Sequence, residues 1–402
     1  MSAMNANALF IGSNSSDSYH QAIQLPEEIK RVLRNADKEI RVTVRQAANL
    51  VTQAGKEMSL ATNKYREARQ EPLSLEVRFL RQGGTVYKTD INPAHLPPQQ
   101  SDLDDGIYVK TSFLSHDEPG LASRKLFKLV EEALRPLCER KGWRLEKKNT
   151  CIRVELDNTK HIDLPLYAIP DEEFISLKES LRDASGYSMD MACSNMQNIL
   201  ERHKNLRIPT DRVMLAHREF GWVHSDPRAL HDWFEEQFNR YGPQLRRQCR
   251  YLKGWRDFFF SSGGPSSVTL MVCAANTYRL GKIKAEDDRD DLAFMHITEN
   301  LPEMFNREIT NPVLSDAPSL NDWDDLERQQ FVNATQTLHS HVDGALNGHY
   351  IVDITVERLQ KALGERVPNR PDLVKAFPKS FEIKRQNVVT SALPQVRRTT
   401  SG

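Results

Sequence analysis

Three acidic residues, two directly before one predicted strand and one within another, are the clearest candidates for chemistry in this sequence. Asp102 and Asp104 lie in a Ser-Asp-Leu-Asp-Asp-Gly segment at residues 101–106, directly before a strand predicted at residues 107–109. Because side chains alternate along extended backbone, a spacing of two places both carboxylates on one face. Mg²⁺ prefers such hard oxygen ligands, which substrate phosphates and waters complete. The pair alone fits an exposed acidic turn equally well.

Asp163 strengthens the hypothesis of a metal site. It lies in an apolar segment at residues 161–166, where an acid without a partner would be costly to bury. If this strand lies beside the strand that follows Asp104, three carboxylates converge and can hold two metal ions. His161 falls on the same face by alternation, but a packed or solvent-facing histidine is the simpler interpretation.

Two glycine-rich segments are candidate phosphate sites. Residues 82–85 can form a turn whose N–H groups approach phosphate oxygens, although no Walker lysine follows. Residues 263–267 open a helix and place the hydroxyl groups of Ser266 and Ser267 at its positive end. Ordinary N-capping by one of these serines is the preferred interpretation of that segment taken alone. Lys253 and Arg256, on the preceding predicted helix, could neutralise a triphosphate, although basic residues on helices are mostly solvated.

Composition excludes several classes of protein. The chain has 402 residues, of which 39% are hydrophobic and 27% charged, as in globular proteins. The net charge is zero, because 55 basic residues (Lys and Arg) balance 55 acidic ones (Asp and Glu). No strong nucleic-acid binding is therefore expected. The basic run at residues 246–253 is typical of a solvated helix face. The five cysteines show no CxxC spacing, and the sequence has neither a signal segment nor an apolar run long enough to cross a membrane. We therefore expect a cytoplasmic protein that binds no membrane.

The periodicity of apolar residues predicts an α+β protein. A long amphipathic helix is predicted from Pro26 to about Ala54, followed by strands and one helix. Beyond about residue 170 the pattern is mostly helical, with separate helices predicted over Pro227–Tyr241 and Pro243–Phe260. The predicted divisions are a flexible leader (1–24), a core lobe containing the long helix (25–215), a helical lobe (216–380) and a flexible tail (381–402).

Taken together, motifs between Arg78 and Ser267 resemble the bacterial cGAS/DncV-like nucleotidyltransferases (CD-NTases) of antiphage CBASS systems, most of all the DncV type. The motifs that carry the resemblance, in chain order, are Gln82-Gly83, residues 101–106, Thr150-Cys151, residues 161–163, residues 167–170, Ser225-Asp226-Pro227, residues 252–257 and residues 263–267. Each motif is weak by itself, and their order makes the resemblance specific.

The resemblance implies a polymerase-β-like nucleotidyltransferase lobe with a long N-terminal spine helix, packed on a helical lobe. Asp102, Asp104 and Asp163 match the catalytic carboxylates that bind two Mg²⁺ ions, with Mn²⁺ as a possible substitute. The nucleotide-binding residues that it implies are Gln82, Gly83, Gly84, Tyr87, Arg153, Ser225, Lys253, Ser266 and Ser267. One departure is Gly84, where the family has serine.

The implied activity is the joining of two nucleoside triphosphates, ATP and GTP, into cyclic GMP-AMP, a second messenger in CBASS defence. Another cyclic di-purine, a mixed-linkage product or linear nucleotidyl transfer remain alternatives. Family members encoded with an E1/E2-like partner are conjugated through a terminal glycine, which Gly402 matches here. An incidental terminus is the alternative for Gly402. A downstream effector activated by the cyclic nucleotide is a further expectation from the family.

Overall fold

The computed structural model describes residues 3–12, 17–63, 75–114, 119–172, 174–175, 213–281, 283, 289–315 and 317–377. The helices of this part of the chain are α1 (Asn7–Ile11), α2 (Tyr19–Ala22), α3 (Glu27–Asn63), α4 (Gly83–Tyr87), α5 (Thr111–Leu114), α6 (Pro119–Lys141), α7 (Pro227–Phe259), α8 (Ser267–Arg279), α9 (Asp290–Asn306), α10 (Asp325–Leu346) and α11 (Val352–Leu363). The strands are β1 (Met4–Asn5), β2 (Arg78–Gln82), β3 (Ser101–Lys110), β4 (Arg144–Lys147), β5 (Cys151–Asp157), β6 (Lys160–Ile169), β7 (Met214–His217), β8 (Gly221–His224) and β9 (Lys375–Ala376).

A seven-stranded mixed sheet forms the first layer of the structure. Its order is β2-β3-β6-β5-β4, with β7 also paired to β6 and β8 paired to β7. The pair β3 and β6 is parallel, while β2 and β5 flank it as antiparallel neighbours. Apolar side chains on one face of β3 and β6 pack into a core shared with α3 and α6. The two acidic segments therefore lie on adjacent central strands.

The long helix α3 carries one buried stripe along the sheet. Leu33, Ile40 and Val44 are at most 2% exposed, as the helical period of these residues predicts. The helix extends to Asn63 rather than ending near Ala54. A single glycine at position 55 weakens a helix by only about 1 kcal/mol, and the helix-forming residues after it continue the turns.

The helices α7 to α11 surround a second apolar core. α7 bends at Gly242, whose φ of 75° interrupts the helical backbone directly before Pro243. This bend lies at the boundary predicted between two helices, since glycine tolerates positive φ and proline starts a new helical segment. Trp255 from α7 and Phe294 from α9 are at most 1% exposed within this core.

The N-terminal residues differ from the flexible leader predicted over residues 1–24. Met4, Leu9, Phe10 and Tyr19 are at most 1% exposed and belong to the core of the helical layer. Strand β1 pairs with β9, so the segment is tied to the far end of the described chain. The helices α1 and α2 are too short to show a helical period in the sequence. The polar composition of the segment therefore predicts flexibility although its apolar residues are buried.

Two further expectations concern where the sheet ends along the chain and where the tail begins. The sheet continues through β7 and β8 to His224, beyond the boundary predicted at residue 215. The flexible tail predicted at residues 381–402 lies outside the described residues. Within the described part of the chain, no helix is both long and apolar enough to cross a bilayer.

The buried N-terminal segment leads to a test of stability. The Phe10 ring lies 5.3 Å from Tyr251 and 5.8 Å from Phe294, centroid to centroid. We expect Phe10→Ala to lower the free energy of unfolding by about 3–5 kcal/mol, because it empties a filled aromatic site. Urea unfolding measures the change. The control Leu326→Ala, at a side chain that is 80% exposed, should have little effect. Equal stability of both variants would contradict a core role for Phe10.

Candidate active site

The strand register brings the predicted carboxylates together. In the parallel pair of β3 and β6, Asp104 lies opposite Asp163 and Asp102 lies opposite His161. Asp102 is exposed, while Asp104 and Asp163 are partly buried. The condition for convergence, that β6 lies beside β3, is therefore met.

Asp104 is the carboxylate most strongly affected by its surroundings. Burial, followed by the negative charges of Asp102 and Asp163, raises its pKa above the ordinary range. Lys253 and Arg153 act in the opposite direction and compensate only in part. Hard carboxylate oxygens concentrated in this way form a donor set that suits a divalent cation such as Mg²⁺.

Arg153 holds Asp163 through a bidentate ion pair. On β5, Arg153 donates from Nε to Oδ1 and from Nη2 to Oδ2, both at 2.8 Å. Burial alone would raise the pKa of Asp163, but hydrogen bonds from Arg153 and His161 hold it well below the usual range. Within the described ranges, no three His, Cys, Asp or Glu side chains already surround a single metal position. The third carboxylate is instead neutralised by a guanidinium.

The two glycines at residues 83 and 84 form the first turn of α4. Gly83 has a φ of 65°, and a Cβ atom there would overlap Oδ2 of Asp104. Close contact between backbone and carboxylate therefore requires glycine at this position. At Gly84, a Cβ would lie 3.3 Å from Nζ of Lys253 and 3.3 Å from Cα of Asp90. The predicted turn is a short helix in contact with Asp104 and Lys253.

Gln82, at the end of β2, links two tyrosines beside the carboxylates. Its Nε2 donates to the Tyr108 hydroxyl at 2.8 Å, and its Oε1 accepts from the Tyr167 hydroxyl at 3.1 Å. The two tyrosine rings stack at 4.7 Å. Tyr108 had not been predicted as part of the site, although it stands on the same side of β3 as Asp102 and Asp104 by alternation. These contacts fix Gln82 beside the carboxylates.

Lys253 and Tyr87 bring the helical layer to the site. Lys253 is only 7% exposed, and its Nζ donates to the Thr89 carbonyl at 2.8 Å. Burial lowers the pKa of Lys253, and the charge of Asp102 acts against that shift. Tyr87 is 6% exposed and stacks on His231 with 6.0 Å between ring centroids. Both predicted residues therefore face the junction between α4 and α7.

The three predicted serines have local roles in the structure. The Ser225 N–H donates to the Val213 carbonyl at 3.3 Å, just before α7. Ser266 caps α8 by accepting from the Thr269 N–H at 3.1 Å, as the capping interpretation predicts. Ser267 accepts from Arg256 Nη1 at 2.9 Å. Their described hydrogen bonds thus go to neighbouring protein groups.

The basic run at residues 246–253 is not the solvated face that its charge predicted. Arg246 pairs with Glu235 at 2.8 Å, and Arg247 pairs with the fully buried Asp290 at 2.6 Å. Lys253 is buried, as described above. The acidic partners lie far along the sequence or on another turn of helix, so no local pattern reveals them.

The third acidic residue of β3, Asp105, faces away from the site. Asp105 is fully buried and accepts from Arg41 Nε at 2.8 Å, which joins β3 to α3. Arg81 on β2 donates to Asp37 of α3 at 2.8 Å. Alternation along β3 predicts the opposite orientations of Asp104 and Asp105, but the basic partners on α3 had not been predicted. These two ion pairs fix the position of β2 and β3 relative to α3.

Comparison with known proteins identifies the family. Residues 77–167 match the family described as "Cyclic GMP-AMP synthase DncV-like, nucleotidyltransferase domain", and residues 242–376 match "Cyclic GMP-AMP synthase, C-terminal domain". A cyclic GMP-AMP synthase of Escherichia coli is 32% identical over 312 residues, which make up 75% of this chain and 71% of that protein. One of Vibrio cholerae is 34% identical over 262 residues, or 63% of this chain and 59% of that protein.

Solved structures agree with these matches. The crystal structure of Vibrio cholerae DncV cyclic AMP-GMP synthase in complex with the linear intermediate 5′ pppA(3′,5′)pG is 26% identical, with a TM-score of 0.74. The comparison covers 94% of this chain and all of that chain. The predicted α+β fold, a polymerase-β-like lobe with a spine helix packed on a helical lobe, is confirmed. The chain belongs to the DncV-like nucleotidyltransferases, the family of the cyclic GMP-AMP synthases.

Proposed function

We propose that this enzyme joins ATP and GTP into cyclic GMP-AMP through two successive nucleotidyl transfers in one site. The observation that carries the proposal is the register of β3 and β6, with Asp104 opposite Asp163 and Asp102 two residues away on the same side. The cyclic GMP-AMP synthases that it resembles, and the linear pppA(3′,5′)pG bound by the Vibrio cholerae relative, support the choice of nucleotides. Another cyclic di-purine or a linear product is the second candidate.

Asp102, Asp104 and Asp163 are proposed as the residues that hold two Mg²⁺ ions, or Mn²⁺ in their place. Their oxygen donors fit such ions. Burial and then the charges of Asp102 and Asp163 raise the pKa of Asp104, and a cation would offset that repulsion. When bound, these ions would lower the pKa of the attacking ribose hydroxyl and neutralise the triphosphate. By fixing where those ions would sit, the carboxylates would orient the ribose hydroxyl and the α-phosphate for in-line attack.

The remaining predicted residues are proposed to bind the nucleotides. Lys253 retains donors beyond its bond to Thr89, and its charge suits triphosphate oxygens. The aromatic ring of Tyr87 is proposed to contact a base. Arg153 is proposed to leave its ion pair with Asp163 and to bind a group of the nucleotide instead. Further contacts are assigned to Gln82, Gly83, Gly84, Ser225, Ser266 and Ser267. A division into two lobes at about residue 215 is part of the proposal, with these residues contributed by both lobes.

Several expectations from the family extend the proposal beyond the site. We propose a role in CBASS antiphage defence, in which the product activates a downstream effector. Conjugation of Gly402 by an E1/E2-like partner is a further proposal, and that residue lies outside the described part of the chain. Mass spectrometry of reaction products, with nuclease digestion to assign the 3′,5′ or 2′,5′ linkage, tests the central claim.

The first prediction from the proposed function concerns the paired carboxylates. Asp104→Asn keeps the shape of the side chain and removes its charge, so the metal site loses a ligand at its centre. We expect formation of phosphatase-resistant dinucleotide from ATP and GTP to fall at least about a thousandfold, equivalent to about 4 kcal/mol. Glu308→Gln, an exposed acid on another part of the surface, serves as the control. Retained activity in Asp104→Asn would exclude the proposed mechanism.

The second prediction concerns Arg153 in the absence of nucleotide. Arg153→Gln removes the cation that neutralises Asp163, so Mn²⁺ should bind the free protein about tenfold more tightly, a change of about 1.4 kcal/mol. Electron paramagnetic resonance of free Mn²⁺ measures this affinity. Arg144→Gln removes the same charge from the adjacent strand β4, where Arg144 pairs with Glu155. Equal Mn²⁺ affinity in wild type and Arg153→Gln would show that this ion pair does not oppose metal binding.

The third prediction separates backbone strain from contact with Asp104. Gly83→Ala and Gly142→Ala place a side chain at similar positive φ, 65° and 70°, so both should lose roughly 1 kcal/mol of stability. Only Gly83→Ala displaces Asp104, since nothing lies within 4 Å of a Cβ at Gly142. We expect kcat to fall about a hundredfold in Gly83→Ala alone. Similar kcat values in both variants would contradict a constraint on Asp104.

A further inference from the structure

The segment between α4 and β3 is held by cations that donate to its backbone carbonyls. We call residues 88–92 the 88–92 loop. Arg250 Nη2 donates to the Lys88 carbonyl at 2.6 Å, and Lys253 Nζ donates to the Thr89 carbonyl at 2.8 Å. Arg366 Nη1 donates to the Asn92 carbonyl at 2.8 Å. Three side chains of the helical layer thus fix three carbonyls of one short loop.

Lys253 is the member of this set that faces the candidate active site. A Cβ atom at Gly84 would lie 3.3 Å from its Nζ. The ammonium group has three donors, and its described acceptor is the Thr89 carbonyl. The position of that carbonyl therefore decides where the remaining donors point.

Arg250 fixes one end of the loop. It stands one helical turn before Lys253 on α7, and Lys88 has the left-handed conformation that ends α4, with φ of 57°. Arg250 also lies 3.4 Å from His20 Nε2, and burial lowers the pKa of His20 to about 4. A neutral imidazole accepts a hydrogen bond from the guanidinium, so α2 supports the same contact.

Arg366 fixes the other end of the loop. Its Nη2 donates to the Gly254 carbonyl at 2.9 Å while Nη1 binds the Asn92 carbonyl, so one guanidinium joins the loop to α7 directly beside Lys253. The Asn92 N–H donates to the Ile23 carbonyl at 2.8 Å, which adds the N-terminal segment to the same junction. Both ends of the loop are therefore fixed to the helix that carries Lys253.

We propose that Arg250 and Arg366 are positioning residues that act through Lys253 by holding the 88–92 loop against α7. The inference rests on the proposed function, because Lys253 matters here as the cation that meets the triphosphate. Hydrogen bonds from charged donors are stronger than those between neutral groups. The proposal assigns neither arginine a contact with the nucleotide itself.

The test is a set of double-mutant cycles on nucleotide use. We expect Arg250→Met and Arg366→Met each to raise the KM for ATP about tenfold, with kcat changed less than about threefold. In a Lys253→Gln background, the same substitutions should change kcat/KM less than about twofold, because the residue through which they act is already lost. Arg246→Met, one turn before Arg250 on α7 and paired with Glu235, is the matched control.

Two results would overturn the inference. One is an unchanged KM in both single variants, and the other is additivity with Lys253→Gln, which would mean that the arginines act independently of the lysine. Thermal unfolding of each variant separates positioning from loss of fold. If Arg250→Met does not fold, Arg250→Lys replaces it, with an intermediate KM expected and an unchanged KM counting against the inference.

Failure of the proposed function is distinguishable from failure of the inference. If the wild-type chain binds ATP but yields no cyclic or linear dinucleotide, the proposed function is wrong. The same cycles are then measured as the Kd for ATP by calorimetry. Coupling between Arg250 and Lys253 in Kd would support the positioning role, and additive effects would exclude it.

Discussion

Repulsion between carboxylates on adjacent parallel strands is the constraint on which the rest of the site depends. Asp104 and Asp163 face each other across β3 and β6, and Asp102 adds a third negative charge nearby. The surrounding cations compensate in different ways. Arg153 binds Asp163 directly, whereas Lys253 remains bound to a carbonyl and acts over a longer distance. The next residue, Asp105, faces α3 and is neutralised there by Arg41. Successive acids of β3 are thus compensated on opposite faces of the sheet.

Local patterns predicted the parts of this arrangement that depend on period alone. Alternation placed Asp102 and Asp104 on one face, and apolar flanks marked Asp163 as an acid buried within a strand. The Gly242-Pro243 pair marked the bend in α7 for an equally local reason. Ser266 behaves as the helix cap that its position predicts. In each case the physical cause lies within a few residues of the feature.

Features that depend on distant partners could not be predicted in this way. The pair of Arg153 and Asp163 requires β5 to lie beside β6 in one particular register. The basic run on α7 reads as a solvated face until Asp290 and the 88–92 loop are brought to it by the fold. The burial of Met4 and Phe10 depends on a core built from residues far along the chain. Because that core is invisible in the local sequence, the N-terminal residues read as a flexible leader.

The pairing of β1 with β9 has a mechanical consequence. Phe377, the last described residue, donates its N–H to the Ala3 carbonyl at 2.7 Å, and the two strands pair through only two residues each. Tension applied to the chain beyond Phe377 would be borne first by this short ribbon, which can separate while the helices remain packed. Load at that end is thereby kept away from the strands that carry the carboxylates.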